Sequence, residues 1–76
     1  PAKETDTYKM TAIAIDGKYE KIIESDYNMA EIVGVKTQLE KQGYVALAKY
    51  GDTITLLAAK PSENNVDTIY YEFKKI

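Results

Sequence analysis

A chain of 76 residues holds one domain and one small core, and at this size folding buries only about 60% of the unfolded surface. Cysteine, histidine and tryptophan are absent, which excludes disulfides, thiolate or imidazole metal sites and histidine-activated nucleophiles. All ten basic residues are lysine against twelve carboxylates, so the chain carries no guanidinium fork for phosphate or guanine and a nucleic-acid partner is disfavoured.

No stretch approaches the roughly 20 apolar residues needed to cross a bilayer, and no secretory signal pattern opens the chain. Pro1 reads as the residue left after removal of an initiator methionine. The expected location is the cytoplasm. Richness in lysine, isoleucine, asparagine and tyrosine without arginine fits an AT-rich coding source, bacterial or viral, with the host cytoplasm as location in the viral case.

Residues 1–6 are polar, lack a hydrophobic anchor and read as a flexible arm; residues 7–76 read as a single α+β domain. Thr7 to Ile15 is rich in β-branched and aromatic residues and predicts a strand. Asp16-Gly17 then supplies a type I′ hairpin turn, with the return strand at Lys18 to Glu24. A two-residue loop sets Ala14 opposite Tyr19, Ala12 opposite Lys21 and Met10 opposite Ile23. One face then holds Tyr8, Met10, Tyr19 and Ile23; the other holds Ile13, Ile15 and Ile22. Neither is cleanly polar, so which face is buried stays open.

Asn28 followed three residues later by Glu31 resembles a capping box, which predicts a helix over Met29 to Gln42 stopped by Gly43. Gly34 lies in its interior, and Lys36 falls inside the apolar stripe, where it must snorkel to water. Tyr44 to Ala59 is the most apolar stretch and reads as a second hairpin about Gly51-Asp52. A two-residue loop there pairs Val45 with Ala58, Leu47 with Leu56 and Lys49 with Ile54. Val45, Leu47, Ile54, Leu56 and Ala58 are then expected beneath the helix, with Tyr44, Ala46, Ala48, Tyr50 and Leu57 on the opposite face. Lys60-Pro61 ends that strand, residues 62–67 form a polar connection, and the last strand covers Asp67 to Lys75.

The expected architecture is β-β-α-β-β-β: a single antiparallel sheet of about five strands with one helix packed on one face. The strand order that keeps every pair antiparallel is second, first, fifth, fourth, third.

Chemistry is sparse. Ser25 and Ser62 sit in turn contexts, the aspartates sit at element ends, no Ca²⁺-loop spacing occurs, and the four glycines are scattered singly. In small tautomerases an N-terminal proline amine is the catalytic base, opening a strand and working with arginine; here Pro1 leads a polar arm and the chain has no arginine. The reading is therefore non-enzymatic, with no cofactor or metal.

One short helix covers one face of such a sheet, and the uncovered apolar face is expected to bind protein. The candidate residues are Tyr44, Tyr50, Leu57, Tyr70, Ile13 and Ile15. The expected partner is another protein or a second copy, as for a small accessory, regulatory or inhibitor protein, phage-encoded if the source is viral. A structural homo-oligomer is the first alternative and single-stranded nucleic-acid binding the second. A bare edge strand at Tyr44 to Tyr50, with Lys49 as its one charge, offers another route to association.

Overall fold

A computed structural model describes residues 6–20 and 25–76. Its elements in chain order are β1 (Thr7–Ile15), β2 (Lys18–Tyr19), β3 (Asp26–Asn28), α1 (Met29–Lys41), β4 (Val45–Lys49), β5 (Thr53–Ser62) and β6 (Asn65–Lys75). The strands form one antiparallel sheet in the order β2-β1-β6-β5-β4, with β3 also paired to β1. This is the expected α+β architecture and strand order. The expected arm lies outside the described residues except for Asp6, whose carboxylate sits 3.7 Å from Lys75 Nζ.

The first hairpin forms as its turn chemistry requires. Asp16 and Gly17 both take positive φ, 51° and 80°, and Ala14 pairs with Tyr19. Asp16 also ties the turn to β6: its N–H donates to Thr68 O at 2.8 Å, and Thr68 N–H donates to its carboxylate at 2.8 Å. The pairings expected for Lys21 and Ile23 fall outside the described residues.

The open question about β1 is resolved by a bulge. Met10 pairs with Phe73 and Ala12 with Glu72, so Thr11 and Ala12 together oppose one residue. The extra residue inverts the alternation. Tyr8 and Met10 before the bulge, and Ile13 and Ile15 after it, all point to the helix side. Ile13 and Ile15 therefore do not join the open face as expected. The Thr11 hydroxyl anchors the bulge, 3.2 Å from Glu72 O and 3.1 Å from Glu72 Oε1.

Helix α1 begins with the expected capping box: Glu31 N–H donates to Asn28 Oδ1 at 2.8 Å, and Asn28 N–H donates to Glu31 Oε1 at 3.0 Å. Gly43, at φ 96°, follows its C-cap, and Tyr44 N–H closes back on Leu39 O at 3.1 Å. Lys36 reaches the surface and pairs with Glu40 at 3.2 Å. The helix crosses the sheet from β3 toward β4. Ile32 packs with Tyr8, Met10, Ile54 and Phe73, while Leu39 packs with Ala46, Leu56 and Ala58. Tyr71 bridges the two groups, and Tyr27 meets the Phe73 ring edge-on at 5.2 Å.

The second hairpin differs from expectation by one residue. Val45 pairs with Ala59, Leu47 with Leu57 and Lys49 with Thr55. Neither Gly51 nor Asp52 takes positive φ, so no tight primed turn forms and the connection widens. Loop carbonyls bond outward instead: Lys75 N–H donates to Asp52 O at 2.8 Å and the Tyr8 hydroxyl to Gly51 O at 3.3 Å. A one-residue slip exchanges the faces of a strand. Ala46, Ala48 and Tyr44 thus lie on the helix side, and Val45 and Leu47 lie on the open side, the reverse of what the two-residue loop implied.

Nor does Pro61 end its strand, because the ladder continues through Pro61–Val66 to Ser62–Asn65. Pairing with β4 stops at Ala59, so one side of β5 is open at Pro61 and a residue without N–H is tolerated there.

These assignments give three expected stability changes, each read from chemical denaturation. Asn28→Ala removes the Oδ1 acceptor of the Glu31 N–H, leaving the backbone N–H bond to Glu31 Oε1, and lowers stability by about 1 kcal/mol. Gly34→Ala raises it by up to about 1 kcal/mol, since an added Cβ meets nothing within 4 Å. Phe73→Ala empties the centre of the core and costs about 3–5 kcal/mol.

Candidate functional site

The face of the sheet away from α1 has no layer over it among the described residues. Its side chains follow from the register. Tyr19 pairs with Ala14, Ala14 with Tyr70, Tyr70 with Leu57, and Leu57 with Leu47. These five residues form one row across five strands, about 19 Å long at ~4.8 Å per strand. Val45, Ala59 and Thr68 make the next row, and Pro61 and Val66 the one beyond.

Tyr70 at the centre of these rows is half-buried, while their other large members are exposed: Tyr19 to 76%, Leu47 and Val45 to 69%, Val66 to 53% and Leu57 to 49%. Two further rows at ~6.8 Å each extend the patch by roughly 13 Å, giving a few hundred Å², the size that marks interaction surfaces on small proteins.

A polar cluster borders the apolar rows. The Glu72 carboxylate is half-buried and accepts from the Tyr70 hydroxyl at 3.0 Å, with the Thr11 hydroxyl at its other oxygen. Thr55 and Lys49 continue that row toward β4. Lys9, paired with both Asp26 and Lys74, lies in the row beyond. Among the described residues lysines and carboxylates are mixed on this face, and no basic track runs along it.

Of the six candidate residues, Leu57 and Tyr70 lie at the centre of the open face. Tyr44 lies on the helix side against the Leu39 cluster, with Lys60 Nζ 5.8 Å from its ring centroid. Ile13 packs against the core, and Ile15 shares its side of the sheet. Tyr50 follows the last paired residue of β4. Tyr19, Leu47, Val45 and Val66 belong to the open face without having been singled out. Only correct pairing registers reveal them, since a strand's faces exchange with each inserted residue.

The helix side holds a cleft of about 260 Å³ lined by Val35, Gln38, Leu39, Gln42, Ile69 and Tyr71. It falls below the ~300–1,000 Å³ usual for small-molecule sites. Among the described residues no three His, Cys, Asp or Glu side chains gather as metal ligands, and no helix is long and apolar enough to cross a membrane.

Three phenols are raised above the ordinary tyrosine value of 10.0, each chiefly by burial: Tyr8, with Asp6 adding; Tyr70, with its bond to Glu72 adding; and Tyr71, with neighbouring phenols adding. Compared with protein-family models, curated proteins and solved structures, the chain shows no significant match.

The raised phenols set an alkaline limit on stability. Folding favours the neutral form of each group, so their contribution is complete below pH 10.0 and is lost as pH rises through the folded values. Denaturation midpoints are expected to fall above pH 10.0, and Tyr71→Phe is expected to flatten part of that fall.

Proposed function

We propose that the chain is a non-enzymatic protein-binding module, of accessory, regulatory or inhibitory kind, that engages its partner through the open sheet face. The observation that carries this reading is the continuous row Tyr19–Ala14–Tyr70–Leu57–Leu47, apolar or aromatic at every position. Tyrosine and leucine side chains held on paired strands lose little freedom on binding, which favours them as anchors. Glu72 retains acceptor capacity beside Tyr70, so the fitting partner presents an apolar patch with a lysine or arginine at its margin.

The mixed charge of the face argues for protein over single-stranded nucleic acid, which combines aromatic platforms with a continuous basic groove. Affinity capture with the wild-type chain and with Leu57→Glu tests the reading. The expected result is a protein retained by the wild type and lost, by about tenfold or more, with Leu57→Glu, whose fold is unchanged by circular dichroism. Capture indifferent to Leu57→Glu would overturn it. So would binding of a single-stranded oligonucleotide that weakens steeply with salt.

A further inference from the structure

Among the described residues the two edges of the sheet are unlike. On one side β2 and β3 are two and three residues long, too short to template another strand. On the other, β4 has five residues, Val45–Lys49, paired to β5 without a register shift and to no other strand among the described residues. Its sequence, VALAK, contains no proline and one charge, and none of its residues points a charge inward. Roughly half the N–H and C=O groups of such an edge face outward in register to receive a strand.

We propose that β4 pairs antiparallel with β4 of a second copy about a two-fold axis at Leu47, joining two sheets into one. The strand is self-complementary about that residue. Centring on Leu47 pairs all five residues: Leu47 with its own copy, Ala46 with Ala48 and Val45 with Lys49. Centring on Ala46 or Ala48 leaves part of the strand unpaired. The Leu47 axis also sets each lysine beside a valine, where its stem covers apolar surface while the ammonium stays in water, and it places no like charges directly opposite.

Continuity with the open face supports the same occupant. The row Tyr19–Ala14–Tyr70–Leu57–Leu47 ends on the edge strand, so the axis joins it to its copy as an unbroken line of ten residues. Val45 and Leu47, the most exposed aliphatic side chains of that face apart from the chain end, are the ones a strand added here would cover. The area covered is well below the ~1,600 Å² of a standard interface, so the dimer is weak, with dissociation on the order of micromolar or higher. This pairing uses backbone at the edge and stands or falls apart from partner binding on the open face.

Sedimentation equilibrium over a wide concentration range tests the pairing, using the wild type, Leu47→Lys and Leu57→Lys. The wild type is expected to dimerise reversibly. Leu47→Lys sets two ammonium groups against each other at the axis and is expected to weaken association by about tenfold or more. Leu57→Lys, one strand in from the edge, is expected to leave it nearly unchanged. Amide exchange of the wild type supplies a measure independent of any variant: protection of β4 amides is expected to rise with protein concentration.

A monomer at every concentration, with β4 exchange independent of concentration, would overturn the proposal. Equal loss of association in both variants would also overturn it, because it indicates face-to-face contact.

Discussion

The bulge at Thr11 decides how this protein distributes its apolar side chains. With strict alternation, β1 would send Tyr8 and Met10 to one side and Ile13 and Ile15 to the other. The extra residue turns all four toward α1, where Tyr8 and Met10 join Phe73, Ile54 and Ile32 in the core. A domain with one short helix has one layer of cover to offer, and it gains most when the strand beside β6 contributes every large side chain beneath that layer. The open face receives Ala12, Ala14 and the Thr11 hydroxyl in exchange. Tyr70 thus lies opposite a small residue, Ala14, and places its hydroxyl on Glu72.

The second hairpin completes the same division. Small Ala46 and Ala48 occupy the helix side of β4, where Leu39 packs down on Ala46. The larger Val45 and Leu47 are displaced to the uncovered side. Two one-residue irregularities, the bulge and the widened loop at residues 50–52, thus produce a packed face and an apolar open face from strands that are hydrophobic on both sides. Energetically the open face adds nothing to the stability of the isolated chain, since aliphatic carbon left exposed gains nothing from folding. It becomes an advantage where something covers it.

The architecture was legible because it rests on local chemistry. Asp16-Gly17 dictates a primed turn, Asn28 and Glu31 dictate a helix start, and Gly43 dictates its end, so the antiparallel order and every element but the short strand β3, paired to β1 just before the helix cap, follow from the chain alone. The identity of the open-face residues was not legible to the same degree. Face assignment depends on parity, and a single inserted residue reverses everything beyond it. Asp-Gly and Gly-Asp look alike in composition, yet at Gly51-Asp52 the backbone keeps negative φ and sends its carbonyls to Lys75 and Tyr8. Those two partners are distant in sequence, and no local signal announces them. Leu57 and Tyr70 lie on the expected face because β5 and β6 pair with each other without a register shift. Tyr44, Ile13 and Ile15 moved because they lie beyond an irregularity.

The two strands that meet at the centre of the sheet come from opposite ends of the described chain. Thr11 and Glu72 are 61 residues apart, and β1 pairs with β6 along its whole length. The β5–β6 ladder, by contrast, closes through the Glu63-Asn64 turn at minimal loop entropy. Docking β1 against β6 therefore closes the longest loop in the sheet, and until it closes the tyrosine, methionine and isoleucines of β1 lack their partner strand. The helix has no complete sheet to rest on before that moment. That closure is non-local in sequence, the kind of contact that slows folding relative to a domain built from local hairpins alone.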